Sequence, residues 1–149
     1  MTSMTFSLRA SRSLLLAIAA AVTPPLAHAQ SGKWIATISQ LSTVSGSADL
    51  TVEPRNEKQA KAKLAFRNSK RETRLAWDIV EGRCRDEGAP IAAQAAFPQV
   101  QTAMDGTGTA TANLPKLESG KLYYVRVFDF QRAPTDASAY GCANISEKP

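Results

Sequence analysis

The sequence predicts an all-β fold, a single antiparallel sandwich or flattened barrel of seven or eight short strands. Three observations carry this. Apolar residues recur at every second position in most of the chain. Turn-forming residues punctuate it about every 8 to 12 residues, the spacing of a sandwich or barrel. The two cysteines, Cys84 and Cys142, stand far apart, in a chain that carries an export signal at its start.

Residues 1–29 read as a signal peptide. Arg9 and Arg12 supply a positive leading segment, Leu14 to Val22 is an unbroken apolar run, and Ala27-His28-Ala29 offers small residues for cleavage after Ala29. The run of 9 residues is short of the roughly 20 that span a bilayer. A retained membrane anchor is the alternative. No cysteine follows the run and no twin arginine precedes it, so an ordinary secretory route is expected, ending in the periplasm or outside the cell. The processed chain, 30–149, is one domain with no transmembrane segment. Loss of Arg9 and Arg12 takes Lys+Arg from 18 to 16 against 13 acidic residues, a net charge near +3. That is too mild for a strong field toward polyanions.

The elements follow in order. Lys33 to Leu41 carries Trp34, Ile35, Ile38 and Leu41 among polar residues and reads as a first strand. Ala48, Leu50 and Val52 alternate with Asp49 and Thr51 until Pro54 stops them. Ala60, Ala62, Leu64 and Phe66 alternate with Lys61, Lys63, Ala65 and Arg67; the flanking Glu57 to Ala65 also suits a helix, but the alternation favours a strand. Arg74 to Glu81 follows, with Leu75, Trp77 and Ile79 on one buried face and Arg74, Ala76 and Asp78 opposite. This strand and Cys84 set the core. Arg85 to Gly108 has little periodicity, with room for a short helical turn in its alanines. Asp105-Gly106 is a tight-turn signal. Thr107 to Leu114 alternates threonine with small residues. Leu122 to Phe130 is the most apolar processed segment and reads as covered on both faces, and Tyr140 to Ile145 closes the chain.

The chemistry is bounded mostly by exclusion. The only histidine, His28, lies in the signal, so the processed chain has none. Catalysis by Ser-His-Asp or Cys-His lacks its base. Paired carboxylates remain open to glycoside hydrolysis, with Asp78 the candidate, but a solvent-facing acid paired to Arg74 or Arg126 is the plainer reading. No metal site and no cofactor is expected. An intramolecular Cys84–Cys142 disulfide is expected in an oxidising compartment, against two free thiols or an intermolecular bridge.

Ten basic residues lie between Arg55 and Arg85. Lys61, Lys63, Arg67 and Arg74, with Asp78, form a candidate surface for an anionic envelope polymer, a lipid head group or an acidic protein. The alternative is the wet face of neighbouring strands, with lysines that block edge-to-edge aggregation. Nucleic acid is not an expected partner, since stacking aromatics are missing from the run. Trp34, Trp77, Tyr123 and Phe128 are expected to be core rather than a ligand cleft.

Trp77, Ile79, Glu81, Cys84, Gly108, Ala110, Leu114, Pro115, Gly120, Tyr123, Val125, Val127, Gly141 and Cys142 stand in an order that resembles copper/zinc superoxide dismutase and its periplasmic, immunoglobulin-like sandwich relatives. The resemblance covers about residues 75–145. It implies a Greek-key sandwich with a disulfide from the long loop to the last strand. The family's metal chemistry does not carry over. Its His-x-His copper pair falls on Asp78 and Val80, and a further copper histidine on Phe128 or Asp129. The zinc loop offers only Asp86, Glu87 and Asp105, and the arginine expected three residues before the second cysteine is Ala139. Imidazole is the ligand that suits copper. The expected function is therefore an exported, non-catalytic binding or structural module, with a basic-face binder or a divergent superoxide dismutase as alternatives.

Overall fold

A computed structural model describes residues 32–148. The expected signal peptide, its cleavage point and His28 lie outside them. Eight strands follow in order: β1 Lys33–Ile38, β2 Ser47–Pro54, β3 Gln59–Arg67, β4 Arg74–Glu81, β5 Val100–Gln101, β6 Gly108–Pro115, β7 Tyr123–Asp129 and β8 Ala139–Lys148. Two single-turn 3₁₀ segments, Gln94–Ala96 and Asp136–Ser138, sit in the long loops.

All pairings between these strands are antiparallel, in the order β5-β4-β7-β8-β1-β2-β3-β6. The two end strands nearly close the sheet on itself: a Cβ at Gly108 of β6 would lie 2.7 Å from Cγ1 of Val100 in β5. Counted around that seam, β4, β5 and β6 are consecutive neighbours and β7 returns beside β4, which is a Greek key. Strand β8 joins the two halves. It pairs with β7 up to Ile145 and with β1 from Ser146 to Lys148, and the register slips between Val127 and Phe128. The slip lies opposite Ala139 and Gly141 at the start of β8, where it bends the strand, and the change of partner comes later, between Ile145 and Ser146.

Period-two alternation explains the first half. β1, β2, β3 and β6 bury every second residue and leave the others at the surface. Trp34, Leu50, Leu64, Phe66 and Leu114 thus meet Leu75, Trp77, Ile79, Val125 and Val127 in one core. Trp34 stands edge-on to Tyr123, and Trp77 edge-on to Phe97, the favoured aromatic geometry. Fully burying each large apolar side chain contributes about 1.5–3 kcal/mol. The expected Asp105-Gly106 turn forms, with Gly106 at φ +76° and Asp105 Oδ1 accepting from the Thr107 amide and hydroxyl.

The second half departs from the sequence reading at β4. That strand is buried on both faces from Leu75 to Val80, not on one, whereas β7, buried from Tyr123 to Phe128, is covered on both faces as its sequence predicts. The loops after β4 and β7 fold over the outer face, and Arg126 beneath them neutralises Asp78, so a charged residue can lie there. β1 ends at Ile38 rather than Leu41, while β8 extends to Lys148 because its polar end pairs with β1. Strand β5, two residues long, is too short to show any period.

The Cys84–Cys142 disulfide joins the loop after β4 to β8 across 58 residues. Closing a loop of that length stabilises by about 4 kcal/mol on the chain-entropy argument. Intact mass spectrometry is expected to find both thiols blocked to alkylation until a reductant is added. Labelling of both without reductant would contradict the bridge.

Candidate functional site

The outer face of β4 and β7 carries the most unusual chemistry in the chain. Asp78 and Arg126 are direct cross-strand neighbours. Both point away from the core, and both are buried, at 0% and 3% exposure. Arg126 Nε donates to Asp78 Oδ1 at 2.8 Å and Nη2 to Oδ2 at 2.9 Å, a bidentate fork. Its remaining nitrogen, Nη1, donates to Asp136 Oδ1 at 2.8 Å. Tyr124, two residues before Arg126 on the same face, donates its hydroxyl to Asp136 at 3.0 Å.

The loops reach this cluster by their backbones. The Glu87 amide donates to Asp136 Oδ2 and the Gly88 amide to the Tyr124 hydroxyl, both at 3.3 Å. Gly88 is pressed so close to β4 that a Cβ there would lie 1.7 Å from the Glu81 carbonyl oxygen, so only glycine fits. Asp136 opens a 3₁₀ turn fixed by a reciprocal Thr135–Ser138 cap. The Cys84 amide donates to Asn144 Oδ1, beside the disulfide. Trp77 Nε1 donates to the Pro98 carbonyl, and Gln94 Nε2 to the Trp77 carbonyl, holding the far end of the same loop.

The charges respond to this setting. Burial pushes the Asp78 carboxyl above the usual carboxylate range, and the hydrogen bonds and charge of Arg126 offset this only in part. Burial also works against the charge of Asp136, but donation from Arg126, Tyr124 and the Glu87 amide outweighs it and holds that carboxyl below its ordinary value. The Tyr124 hydroxyl is raised, chiefly by burial. Arg126 stays charged: burial opposes it, and Asp78 and Asp136 more than compensate.

Every nitrogen of the guanidinium and both oxygens of Asp78 are engaged inside this cluster. It contains no imidazole and no thiol. Among the described residues no group of three or more His, Cys, Asp or Glu stands close enough to hold a metal ion. Asp78 therefore presents nothing to a substrate, and the expectation that it faces solvent is corrected. Of the two partners expected for it, Arg126 is the one it has.

The candidate basic residues do not converge on one surface. Lys61, Lys63 and Arg67 project from the outer face of β3. Arg67 pairs with Asp49 at 3.0 Å. Lys33 pairs with Glu53 at 2.9 Å, and Glu53 is held below its usual pKa by that hydrogen bond first and by Lys61 in lesser part. Lys63 sits between Thr51 and Thr111, with no acidic partner among the described residues. Arg74 belongs to the other half, where its Nε donates to Gln101 and its guanidinium stands over the Phe130 ring. Trp34, Trp77 and Tyr123 are buried in the core, while Phe128 is buried outside it, on the outer face beneath the loops.

Two of the concavities among the described residues are lined by buried residues of the strands. One, of about 540 Å³, opens at the end of the sandwich over Trp34, Val52, Ala60 and Leu117. The other, of about 330 Å³, lies between the two long loops over Ala76 and Phe128. No protein family, curated protein or solved structure matches this chain.

One feature of the sequence points to the cluster: Arg126 interrupts the most apolar segment, Tyr-Tyr-Val-Arg-Val-Phe. Asp136 lies in an irregular loop, and nothing local marks it as Arg126's second partner.

A group with a depressed folded pKa contributes stability that is present above its unfolded pKa and lost as pH falls through the folded value. Asp136 is such a group; Asp78, raised by burial and in lesser part by the Asp136 charge, has the opposite sign. Asp136→Asn is expected to cost about 1.5–3 kcal/mol at neutral pH. Urea unfolding over a pH series checks this. The gap between parent and variant should be full above about pH 5 and shrink as the pH drops below the ordinary Asp value of about 3.9. A gap that does not change with pH contradicts the assignment.

Proposed function

We propose that this domain is an exported, non-catalytic module with a binding or structural role in the cell envelope, built on a superoxide dismutase-like sandwich without the metal chemistry. The observation that carries the reading is the closure of the Asp78–Arg126–Asp136–Tyr124 cluster on itself. A reaction centre leaves a polar group facing the space where substrate sits. Here the charged atoms of the only buried ion-pair cluster among the described residues are spent on one another and on the loops.

The resemblance supports the same reading residue by residue. Of the two positions that align with the copper-binding His-x-His pair, Asp78 is consumed by Arg126 and Val80 is a fully buried aliphatic. Phe128 is buried, and Asp129 accepts from the Tyr140 hydroxyl and the Gln131 amide. In this reading an ion-pair clasp stands where a metal would otherwise fix the same loops. The disulfide fits an oxidising compartment. No helix among the described residues is long and apolar enough to cross a membrane. The basic face is the weaker alternative, since Asp49 and Glu53 neutralise part of it.

Elemental analysis of the purified, processed protein, paired with a superoxide dismutation assay after incubation with copper and zinc, tests the proposal. Substoichiometric transition metal and no dismutation are expected. Stoichiometric copper with turnover would overturn it.

A further inference from the structure

Strand β6 is a free end of the sheet. Its inner edge pairs with β3 without a break, from Gln59 opposite Pro115 to Phe66 opposite Gly108. Its outer edge comes against β5 at Gly108. From Thr109 to Leu114 no backbone hydrogen bond reaches that outer edge among the described residues. The 3₁₀ turn Gln94–Ala96 passes near β6 without bonding to it. At the opposite end of the sheet the loop after β4 covers the strand, with the Glu81 amide on the Ala89 carbonyl and the Ile91 amide on the Ile79 carbonyl. β6 has no such cover.

A bare edge presents a row of unpaired amides and carbonyls, and proteins guard such edges with charge, proline or a bulge. β6 reads Gly-Thr-Ala-Thr-Ala-Asn-Leu-Pro, with no charge, no break in register and proline only at its last position. Its outward side chains, Thr109, Thr111 and Asn113, are short and exposed. The charge stands one strand inward. Lys61 lies opposite Asn113 and Lys63 opposite Thr111, exposed on the same face. Lys63 has no carboxylate within ion-pair distance among the described residues. Arg55, Lys61, Thr111 and Asn113 line one hollow whose single carboxylate, Glu53, is bonded to Lys33 at 2.9 Å. A strand added beside β6 would lie two strand spacings from β3, about 10 Å. That is close to one Debye length at physiological salt, so the lysines act on it across the short threonine and asparagine.

We propose that β6 accepts an extended acidic segment of a partner protein as a further strand of the sheet, with carboxylates at alternate positions facing Lys61 and Lys63. The two backbones supply the hydrogen bonds, and the charges select the partner. Lys61 and Lys63 are two residues apart on β3, so acids two residues apart on the added strand share their face. A second copy of this chain would bring more lysine to that face and is the poorer match. The proposal rests on the reading of the domain as a binding module and names its partner class.

The test is an amide chemical-shift titration of the whole oxidised, processed protein with the capped peptide Thr-Val-Glu-Val-Glu-Val-Thr. One comparator has lysine for both glutamates. The other has proline for the central valine, which removes a backbone donor from the strand. The glutamate peptide is expected to shift the β6 amides from Thr109 to Leu114, with both comparators at least about tenfold weaker. Lys63→Glu, an exposed change, is expected to weaken the glutamate peptide about fivefold at low salt and to strengthen the lysine peptide. No shift at millimolar peptide, shifts elsewhere, equal response to either comparator, or unchanged affinity in Lys63→Glu would each overturn the proposal. So would concentration-dependent shifts of the same amides without peptide, because the edge would then be taken by a second copy. A silent edge would leave the metal and dismutation results standing as they are. Copper-dependent turnover would sink the non-catalytic reading while the titration stays legible.

Discussion

A carboxylate and a guanidinium buried side by side between two strands are costly to desolvate, and the arrangement of the loops follows from meeting that cost. The effective penalty is several kcal/mol per ion, and it is offset only if geometry is good and remaining hydrogen-bonding sites are filled. Asp78 and Arg126 satisfy the first condition by pairing in register across β4 and β7, with a bidentate contact. The second needs partners that the two strands lack. Asp136 and Tyr124 supply them, and the loop amides of Glu87 and Gly88 complete the set. Both loops must therefore lie over this face, or a charge is left buried and unpaired.

Covalent and aromatic contacts act on the same loops from other sides. The disulfide fixes the start of the first loop to β8, and Trp77 with Phe97 and Pro98 fixes its end against the core. The polar cluster holds the middle. Between these restraints the loops do not meet everywhere, and the slot over Ala76 and Phe128 is the space left.

The strands are legible in the sequence wherever one face meets water. Alternation gives β2 and β3 nearly to the residue, and β6 as well, because each exposed position on them must be polar or small. The same rule fails on β4. Ala76, Asp78 and Val80 look like a mixed outer face, and only the residues that cover them, Gly88 and Pro90 in the next loop and Arg126 and Asp136 some 50 positions onward, show it to be interior. Strand β5 has two residues and no pattern to read. The disulfide follows from two cysteines in a sequence that reads as exported. Asn144 and Asp136 carry no local mark, because what selects them is spatial proximity to Cys84 and Arg126. The candidate site is half visible: the sequence marks Asp78 and offers Arg126 among its partners, but burial, which decides its role, is a property of the folded loops.

Equilibrium urea unfolding of Asp78→Ala tests the central claim most directly. Removing one partner leaves the Arg126 guanidinium buried with Asp136 alone, and the loss is expected to be about 3–5 kcal/mol, the range for breaking a buried ion pair. A loss below about 1 kcal/mol, the value typical of exposed pairs, would mean that Asp78 and Arg126 do not hold the loops.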